Sequence, residues 1–352
     1  MNRKIQSLQA GRALAALAVV MAHSATSISN VIAPIAIGRQ YIYQSGILGV
    51  DFFFLLSGYI IAHVHAVDLG KRDRIWNYIS KRLKRIFLPY LPIGVAFALI
   101  YTIAPSLPGA SGNWNWMSSL FLAPDAASPA LHPAWTLEHE MVFYLFFATL
   151  ILSVRLGIFL GIVWLSIISL CSLLGSTPSW LGRAGNIVNI EFFMGIGAFA
   201  LLNRCNNGYL VQFVIVIMVL LGGTFLLHHE TGVVPLDMHG VVRLIEEKRI
   251  FISLIICALM MQIICLERAG YISFFYRWLI FLGDASYAIY LTHVPAQAVA
   301  VRVLAKYSIL SEWLNFAIMV SASVIAGVYF HLIFERHIMK WRFQLSPVRW
   351  FR

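Results

Sequence analysis

Apolar stretches long enough to cross a bilayer recur along this chain, and they constrain its fold more than any other feature. Segments of about 20 mainly apolar residues can span the hydrocarbon core as helices. Ten such segments can be placed, near residues 8–28, 46–67, 88–107, 136–153, 156–175, 190–203, 209–228, 250–266, 279–301 and 313–334. Only 12% of the residues are charged, whereas soluble domains carry roughly 25%. The sequence therefore predicts an all-α polytopic transmembrane bundle of about ten helices, and it excludes a soluble enzyme and a disordered chain.

The positive charges indicate the orientation of this bundle. An even number of spans places both termini on one side of the membrane. If that side is the cytoplasm, 19 of the 26 Lys and Arg residues lie in cytoplasmic segments and seven lie outside, in agreement with the positive-inside rule. The formal charge of +11 then reflects topology and contact with anionic membrane lipid, not nucleic acid. We predict a single membrane domain over residues 1–352 that ends in a basic cytoplasmic tail over 335–352.

The first span has a second interpretation. Arg3 and Lys4 precede an apolar stretch, and Ala22-His23-Ser24 is a weak cleavage site, so the segment also resembles a signal peptide. We expect the span to be retained, because it carries two ionisable residues, Arg12 and His23, at positions that suit a functional site.

Ionisable side chains within the spans are functional candidates, because a charge in a bilayer is costly. Arg12 and His23 are eleven residues apart, which places them on one helix face about 16 Å apart. Asp51, Glu140 and His293 lie at a depth similar to that of His23 on three other spans. A carboxylate beside a histidine can support it as a general base. Two other interpretations are a proton relay in a transporter and a structural role in which Arg12 reaches to lipid phosphates.

A basic segment precedes the third span, with seven Lys or Arg residues between Lys71 and Tyr90. Topology alone explains most such segments. The spacing of Arg82 and Arg85 is a more specific signal, because residues three apart share a helix face and can bind one phosphate group. Such a pair would suit an anionic cytosolic cofactor.

Other polar and aromatic residues give weaker signals. Trp114 and Trp116, in the outer loop over 104–135, are interface residues or a platform for a sugar ring. We assign no metal, because neither the four cysteines nor the outer group shows metal-ligand spacing. The outer group consists of His228, His229, Glu230, Asp237 and His239.

Short motifs follow one another between residues 12 and 293. They are Arg12-x10-His23, Gly49-Val50-Asp51-Phe52-Phe53-Phe54-Leu55-Leu56-Ser57-Gly58-Tyr59, Arg82-Leu83-Lys84-Arg85 with Pro89, Trp135-Thr136-Leu137 with Glu140, and Gly283-Asp284-Ala285-Ser286-Tyr287 leading to His293. Each motif is weak alone, but the ordered set resembles the acyltransferase-3 family. These integral-membrane enzymes O-acylate bacterial surface polysaccharides and other extracytoplasmic acceptors.

The resemblance implies transfer of an acyl group, acetyl first of all, from cytoplasmic acetyl-CoA or another acyl-CoA to a glycan hydroxyl. The glycan would be extracytoplasmic or lipid-linked, and the enzyme would lie in the bacterial cytoplasmic (inner) membrane. The implied catalytic residues are His23 and Glu140, and the implied donor-binding residues are Arg12, Ser57, Gly58, Arg82 and Arg85. The residues expected to bind or orient the substrate are Asp51, Trp135, Tyr144 and His293.

Some alternatives stay open at the level of sequence. A glycolipid or polysaccharide transporter or flippase could use the same polar residues for gating and the basic segment for lipid headgroups. Direct transfer and a transient acyl-histidine both suit a histidine at this position. The expected partners are membrane lipid and a carbohydrate acceptor, and a second copy of the chain is a further candidate. The acyl group and the acceptor are not encoded in these motifs.

Overall fold

The structure is a computed structural model that describes residues 5–32, 46, 48–106, 112–124, 127–204, 208–227, 238–272, 276–306 and 311–340. Within these ranges the chain forms eleven α-helices of six residues or more: α1 (Gln6–Val31), α2 (Leu48–His65), α3 (Ile75–Ile103), α4 (Trp116–Phe121), α5 (Trp135–Leu152), α6 (Val154–Leu173), α7 (Ile190–Arg204), α8 (Gly208–Leu227), α9 (Met238–Arg268), α10 (Arg277–Lys306) and α11 (Glu312–Phe330). A π-helical turn, His331–Glu335, and a short helix, Arg336–Ile338, continue α11.

Ten of these helices coincide with the ten predicted spans. Eight helical segments are long and apolar enough to cross a membrane, and two more, Ile187–Asn203 and Gly208–Thr224, are apolar but shorter. The described residues contain no β-strand, only an isolated bridge between Trp114 and Ser128. The prediction of an all-α polytopic bundle is therefore confirmed, and the chain is a multi-pass membrane protein.

Two helices begin well before the spans predicted from hydropathy. Helix α3 begins at Ile75 and α9 at Met238, about three turns earlier than the apolar stretches that start near residues 88 and 250. No proline or glycine interrupts the chain between Ile75 and Phe87, so the helix continues through charged residues that hydropathy excludes. As a result, Arg82 and Arg85 lie on α3 and Arg249 lies on α9, not in loops.

The chain divides into two compact units, which we describe separately. The first unit comprises Met1–Val64 and Val188–Val328, and the second comprises His65–Ile187 and Tyr329–Arg352. The predicted basic tail extends beyond residue 340, and that part lies outside the described residues.

Helices α1 and α10 form the framework of the first unit, and they run parallel. Gly283 lies against the backbone carbonyl of Gln9, where a Cβ atom would collide with it. Small residues allow this close approach, as they do between many membrane helices. Farther along, Val20 of α1 and Ile289 of α10 pack in one buried cluster. The Glu267 carboxylate of α9 accepts hydrogen bonds from the backbone N–H groups of the first two residues of α1, at 2.8 and 2.9 Å.

Helix α3 links the helices of the second unit through its tyrosine hydroxyls. Tyr78 donates a hydrogen bond to the Tyr144 carbonyl of α5 at 3.1 Å. Tyr90 donates one to the Ser119 carbonyl of α4 at 2.8 Å. Both tyrosines are fully buried. The Tyr78 bond joins the part of α3 that carries Arg82 and Arg85 to α5, and the Tyr90 bond joins α3 to α4.

Candidate active site

Arg12 and His23 both contact α10, which confirms that they share one face of α1. Arg12 Nε donates a hydrogen bond to Ser286 Oγ at 3.2 Å. The imidazole rings of His23 and His293 lie 5.1 Å apart, centre to centre, and are inclined by 52°. His23 and His293 thus lie at one level, as their positions along the spans predict. His23 is half-buried and His293 is fully buried.

The surroundings of His293 indicate which of its ring nitrogens carries the proton. Nδ1 lies 2.6 Å from the carbonyl oxygen of Tyr290. A carbonyl only accepts hydrogen bonds, so Nδ1 carries a proton, and Nε2 of the neutral ring has the lone pair. Gln297, one turn farther along α10, donates hydrogen bonds to the Val20 carbonyl at 3.1 Å and to Ser24 Oγ at 2.9 Å. The two bonds hold α1 and α10 together beside the histidine pair.

Asp51 belongs to a buried network in the same unit. Its Oδ1 accepts hydrogen bonds from two nitrogens of Arg249, with Nε at 2.7 Å. Arg249 Nε also lies 3.7 Å from Glu191, whose Oε1 accepts a hydrogen bond from Ser253 at 2.8 Å. One arginine therefore faces two buried carboxylates, from α2 and α7. Asp51 Oδ2 and Glu191 Oε2 are buried without a hydrogen-bond partner among the described residues.

Ser57 and Gly58 lie on α2 between this network and the helix end. Gly58 is packed against the backbone carbonyl of Phe192 on α7, and a Cβ atom would collide there. The missing side chain of Gly58 thus allows α2 and α7 to approach closely. Ser57 is half-buried. Donor binding by this pair stays a prediction.

Glu140 and Tyr144 form a pair on α5 in the second unit. The Tyr144 hydroxyl donates a hydrogen bond to Glu140 Oε1 at 2.6 Å. Glu140 is half-buried. Trp135, the first residue of α5, has its ring edge to face with His139 at 5.5 Å. Between these positions, the buried Glu138 pairs with Arg183 at 3.0 Å.

Arg82 lies close to the same tyrosine. Its guanidinium carbon is 5.8 Å from the ring centres of both Tyr78 and Tyr144, within the range of cation–π attraction. Its Nη2 lies 2.8 Å from Nε2 of His65. Tyr144 therefore contacts the predicted donor-binding Arg82 with its ring and the predicted catalytic Glu140 with its hydroxyl.

Arg85, one turn after Arg82, has a different partner. It forms an ion pair with Glu335 at 2.9 Å, and the other oxygen of Glu335 lies 2.6 Å from Nδ1 of His331. The π-helical turn contains both His331 and Glu335, and such turns are frequent at functional sites. The structure thus gives Arg82 and Arg85 separate protein partners, and their convergence on one phosphate stays a prediction.

The predicted site residues fall into two sets. The first unit holds Arg12, His23, Asp51, Ser57, Gly58 and His293, and the second holds Arg82, Arg85, Trp135, Glu140 and Tyr144. Among the described residues, no group of three or more His, Cys, Asp or Glu side chains is arranged to hold a metal ion. Of the outer group considered for a metal, residues 228–230 and 237 lie outside the described residues, and so does the side chain of His239.

Sequence reasoning missed several polar residues that hold the site residues in place. They are Ser286, Gln297, Arg249, Glu191, His65 and Glu335. A local signal existed for two contacts among them. Asp68 lies three residues after His65 and contacts its Nδ1 at 2.8 Å, and Glu335 lies four residues after His331. Arg249 and Asp51 are 198 residues apart, so nothing local indicates that they pair.

Comparisons with known proteins show the family of this chain. A family model described as an acyltransferase domain matches residues 5–332. The chain belongs to the acyltransferase-3 family. It is also similar to acyltransferase MdmB of Streptomyces mycarofaciens, with 28% identity over 152 residues. That match covers 41% of this chain and spans only 38% of the relative's length. No solved structure matches the chain. The family predicted from the ordered motifs is therefore confirmed.

Proposed function

We propose that this protein is an O-acyltransferase of the bacterial cytoplasmic membrane. It transfers an acyl group, acetyl in the first place, from cytoplasmic acyl-CoA to a hydroxyl of an extracytoplasmic or lipid-linked glycan. Membership of the acyltransferase-3 family supports acyl transfer in general. The anionic donor is supported by the arginines described above, whereas the acetyl group and the glycan acceptor are proposed from the family resemblance alone.

The observation that carries this proposal is the pair of contacts along α1 and α10. Arg12, bonded to Ser286, provides a cation toward the start of α1. His23, beside His293, provides an imidazole about three turns farther along the same face. The pantetheine arm of CoA is long enough to cover the separation of about 16 Å along the helix. An anion site and a base at this spacing suit a substrate with phosphates at one end and a thioester at the other.

The reaction needs one base and one site for the leaving thiol. The neutral His23 imidazole takes the proton of the acceptor hydroxyl as the oxygen attacks the thioester carbonyl carbon. The carbon–sulfur bond then breaks, and the protonated His23 imidazole returns this proton to the CoA sulfur as it leaves. In the acyl-histidine variant, His23 attacks the carbonyl itself and the CoA thiolate leaves. In a second step the acceptor hydroxyl attacks the acyl-imidazole, takes the acyl group as the nitrogen–carbon bond breaks, and gives up its proton to the freed imidazole. Glu140, held by Tyr144, orients the acceptor or assists proton transfer in either scheme.

Arg12, Arg82 and Arg85 are the residues that we assign to the donor phosphates. Guanidinium groups bind phosphates with two parallel hydrogen bonds, and the interaction weakens with salt where it is exposed. The remaining predicted residues, Asp51, Trp135 and His293, are assigned to orienting the substrate or its immediate surroundings.

One experiment separates this proposal from a transporter or flippase without acyl-transfer chemistry. The purified protein is reconstituted in liposomes and given acetyl-CoA, with release of the CoA thiol measured with and without a crude lipid-linked glycan fraction. We expect the release of CoA thiol to increase when the glycan is added. We also expect labelled acetyl to be incorporated into the glycan. Transport of the glycolipid with no thiol release would contradict the proposal and favour the transporter.

A further inference from the structure

A carboxylate, an imidazole and a guanidinium are connected in a chain within the second unit. Asp68 Oδ2 lies 2.8 Å from Nδ1 of His65, and Nε2 of His65 lies 2.8 Å from Nη2 of Arg82. His65 is the last residue of α2 and its side chain is only 3% exposed. None of the short motifs that carry the family resemblance includes His65 or Asp68.

The partners of His65 determine its protonation. An arginine can only donate hydrogen bonds, so Nε2 of His65 must present its lone pair to Arg82. Nδ1 then carries the proton and donates a hydrogen bond to the Asp68 carboxylate, which holds the ring in this tautomer. His65 is therefore a neutral hydrogen-bond acceptor toward Arg82. If it were protonated, it would place a second cation 2.8 Å from the guanidinium.

The same contact fixes the orientation of Arg82. A guanidinium is planar and rigid, so one hydrogen bond at Nη2 and the rings of Tyr78 and Tyr144 restrict its plane. This contact uses one nitrogen of the guanidinium. Arg82 Nε is buried and has no hydrogen-bond partner among the described residues. A buried donor without a partner is costly, and a phosphate oxygen would satisfy it.

We infer that His65, oriented by Asp68, is a positioning residue for the acyl donor, because it holds the Arg82 guanidinium ready for a donor phosphate. The inference rests on the proposed function, in which Arg82 binds that phosphate. His65 does not touch the donor itself. It acts through Arg82, so removal of His65 should weaken donor binding without changing the chemical step.

The neutral state of His65 makes this positioning depend on pH. The titratable or charged groups that face His65 are Asp68 beside it and Tyr78, Lys81 and Arg82 on α3. When the pH falls through the range in which histidine titrates, protonated His65 repels Arg82 and the donor site loses its alignment. Donor affinity should therefore decrease at low pH for a reason specific to His65.

The test measures binding of radiolabelled CoA to the full-length protein in liposomes, between pH 5.5 and 8. The variants are Arg82→Gln, His65→Ala, His65→Gln and the double variant Arg82→Gln/His65→Ala. Glutamine at position 65 offers an acceptor oxygen near the place of Nε2 but does not titrate. His337→Ala and Asp73→Asn are matched controls, because both residues are exposed. The CoA 3′-phosphate titrates in the same range, so the wild-type profile is compared with that of His65→Gln.

We expect His65→Ala and Arg82→Gln each to weaken CoA binding about tenfold, the value of a hydrogen bond to a charged group. The double variant should be no weaker than Arg82→Gln alone. His65→Gln should bind CoA within about twofold of the wild type at pH 8 and should lose affinity less steeply at low pH. The controls should match the wild type.

Two results would overturn the inference and one would overturn its premise. If Arg82→Gln weakens binding but His65→Ala does not, His65 has no positioning role and the proposed donor site stands. If CoA binding by His65→Gln has the same pH profile as that of the wild type, titration of His65 does not control donor binding. This comparison can be made even if His65→Ala does not fold. If Arg82→Gln binds CoA normally, the donor site of the proposed function is wrong.

Discussion

At the scale of single residues, the account depends on the imidazole of His23. His23 is half-buried on α1, and its ring contacts that of His293. Tyr290 fixes the proton of His293 on Nδ1, so the nitrogen with the lone pair is Nε2. A histidine whose ring lies beside this lone pair suits proton transfer.

Replacement of His23 by alanine tests this role directly. We expect His23→Ala to reduce acetyl transfer at least about a hundredfold, the usual contribution of a general base. The thermal unfolding temperature should stay close to that of the wild type, because a half-buried side chain is removed without opening a large cavity. His337→Ala, at an exposed histidine, is the matched control and should transfer normally. Transfer by His23→Ala near the wild-type rate would remove His23 from the mechanism.

Arg12 should behave differently from His23. Arg12→Gln removes the cation but keeps a side chain that can bond to Ser286. We expect a rise in the KM for acetyl-CoA of about tenfold with a smaller change in kcat, because a charged contact to a bound phosphate is lost. Steady-state kinetics over a range of donor concentrations measures this. An unchanged KM would place the donor phosphates away from Arg12.

At the scale of helices, close packing of α1 against α10 holds Arg12 and His23 in register with their partners. Gly283→Ala would place a methyl group against the Gln9 carbonyl, so we expect a loss of about 1 to 3 kcal/mol in the free energy of unfolding. Gly197→Ala on α7 is the control, because a Cβ atom there meets nothing within 4 Å. Thermal unfolding in detergent compares the two. Equal unfolding temperatures would show that α1 and α10 do not pack this closely.

The buried network of α2, α7 and α9 gives a second prediction for the helices. Arg249→Gln leaves the carboxylates of Asp51 and Glu191 without their shared cation. Removing one member of a buried ion pair costs about 3 to 5 kcal/mol, so the variant should unfold at a clearly lower temperature. Adding Asp51→Asn should recover part of the loss. If Arg249→Gln is as stable as the wild type, the network does not hold these helices together.

Helices are also where sequence-based prediction worked best. The ten spans could be predicted because transfer of about 20 apolar residues into a bilayer needs no partner elsewhere in the chain. The early starts of α3 and α9 were missed, because hydropathy records lipid contact and not helix formation. Arg12 and His23 could be placed on one face from helix periodicity alone. The hydrogen-bond and ion-pair partners of Asp51, Arg82 and Arg85 could not be predicted, since each of these pairings joins residues on different helical elements.

At the scale of the whole molecule, the charge pattern predicts that donor and acceptor approach from opposite faces of the membrane. The predicted cytoplasmic segments carry most of the Lys and Arg residues, whereas residues 86–154 contain none. Anionic acyl-CoA is therefore expected at the cytoplasmic face, and the glycan at the other face. Raised salt should weaken donor binding by screening the basic segment, and Lys71→Gln/Arg72→Gln should mainly disturb topology.

Acetyl transfer in vesicles of defined orientation tests the central claim most directly. The wild type and His23→Ala are reconstituted separately, acetyl-CoA is supplied only at the cytoplasmic face, and the lipid-linked glycan is confined to the opposite face. We predict labelled acetyl on the glycan with the wild type and at most about a hundredth of that amount with His23→Ala. Transfer only when acetyl-CoA and the glycan share one face, or equal transfer by the two proteins, would contradict it.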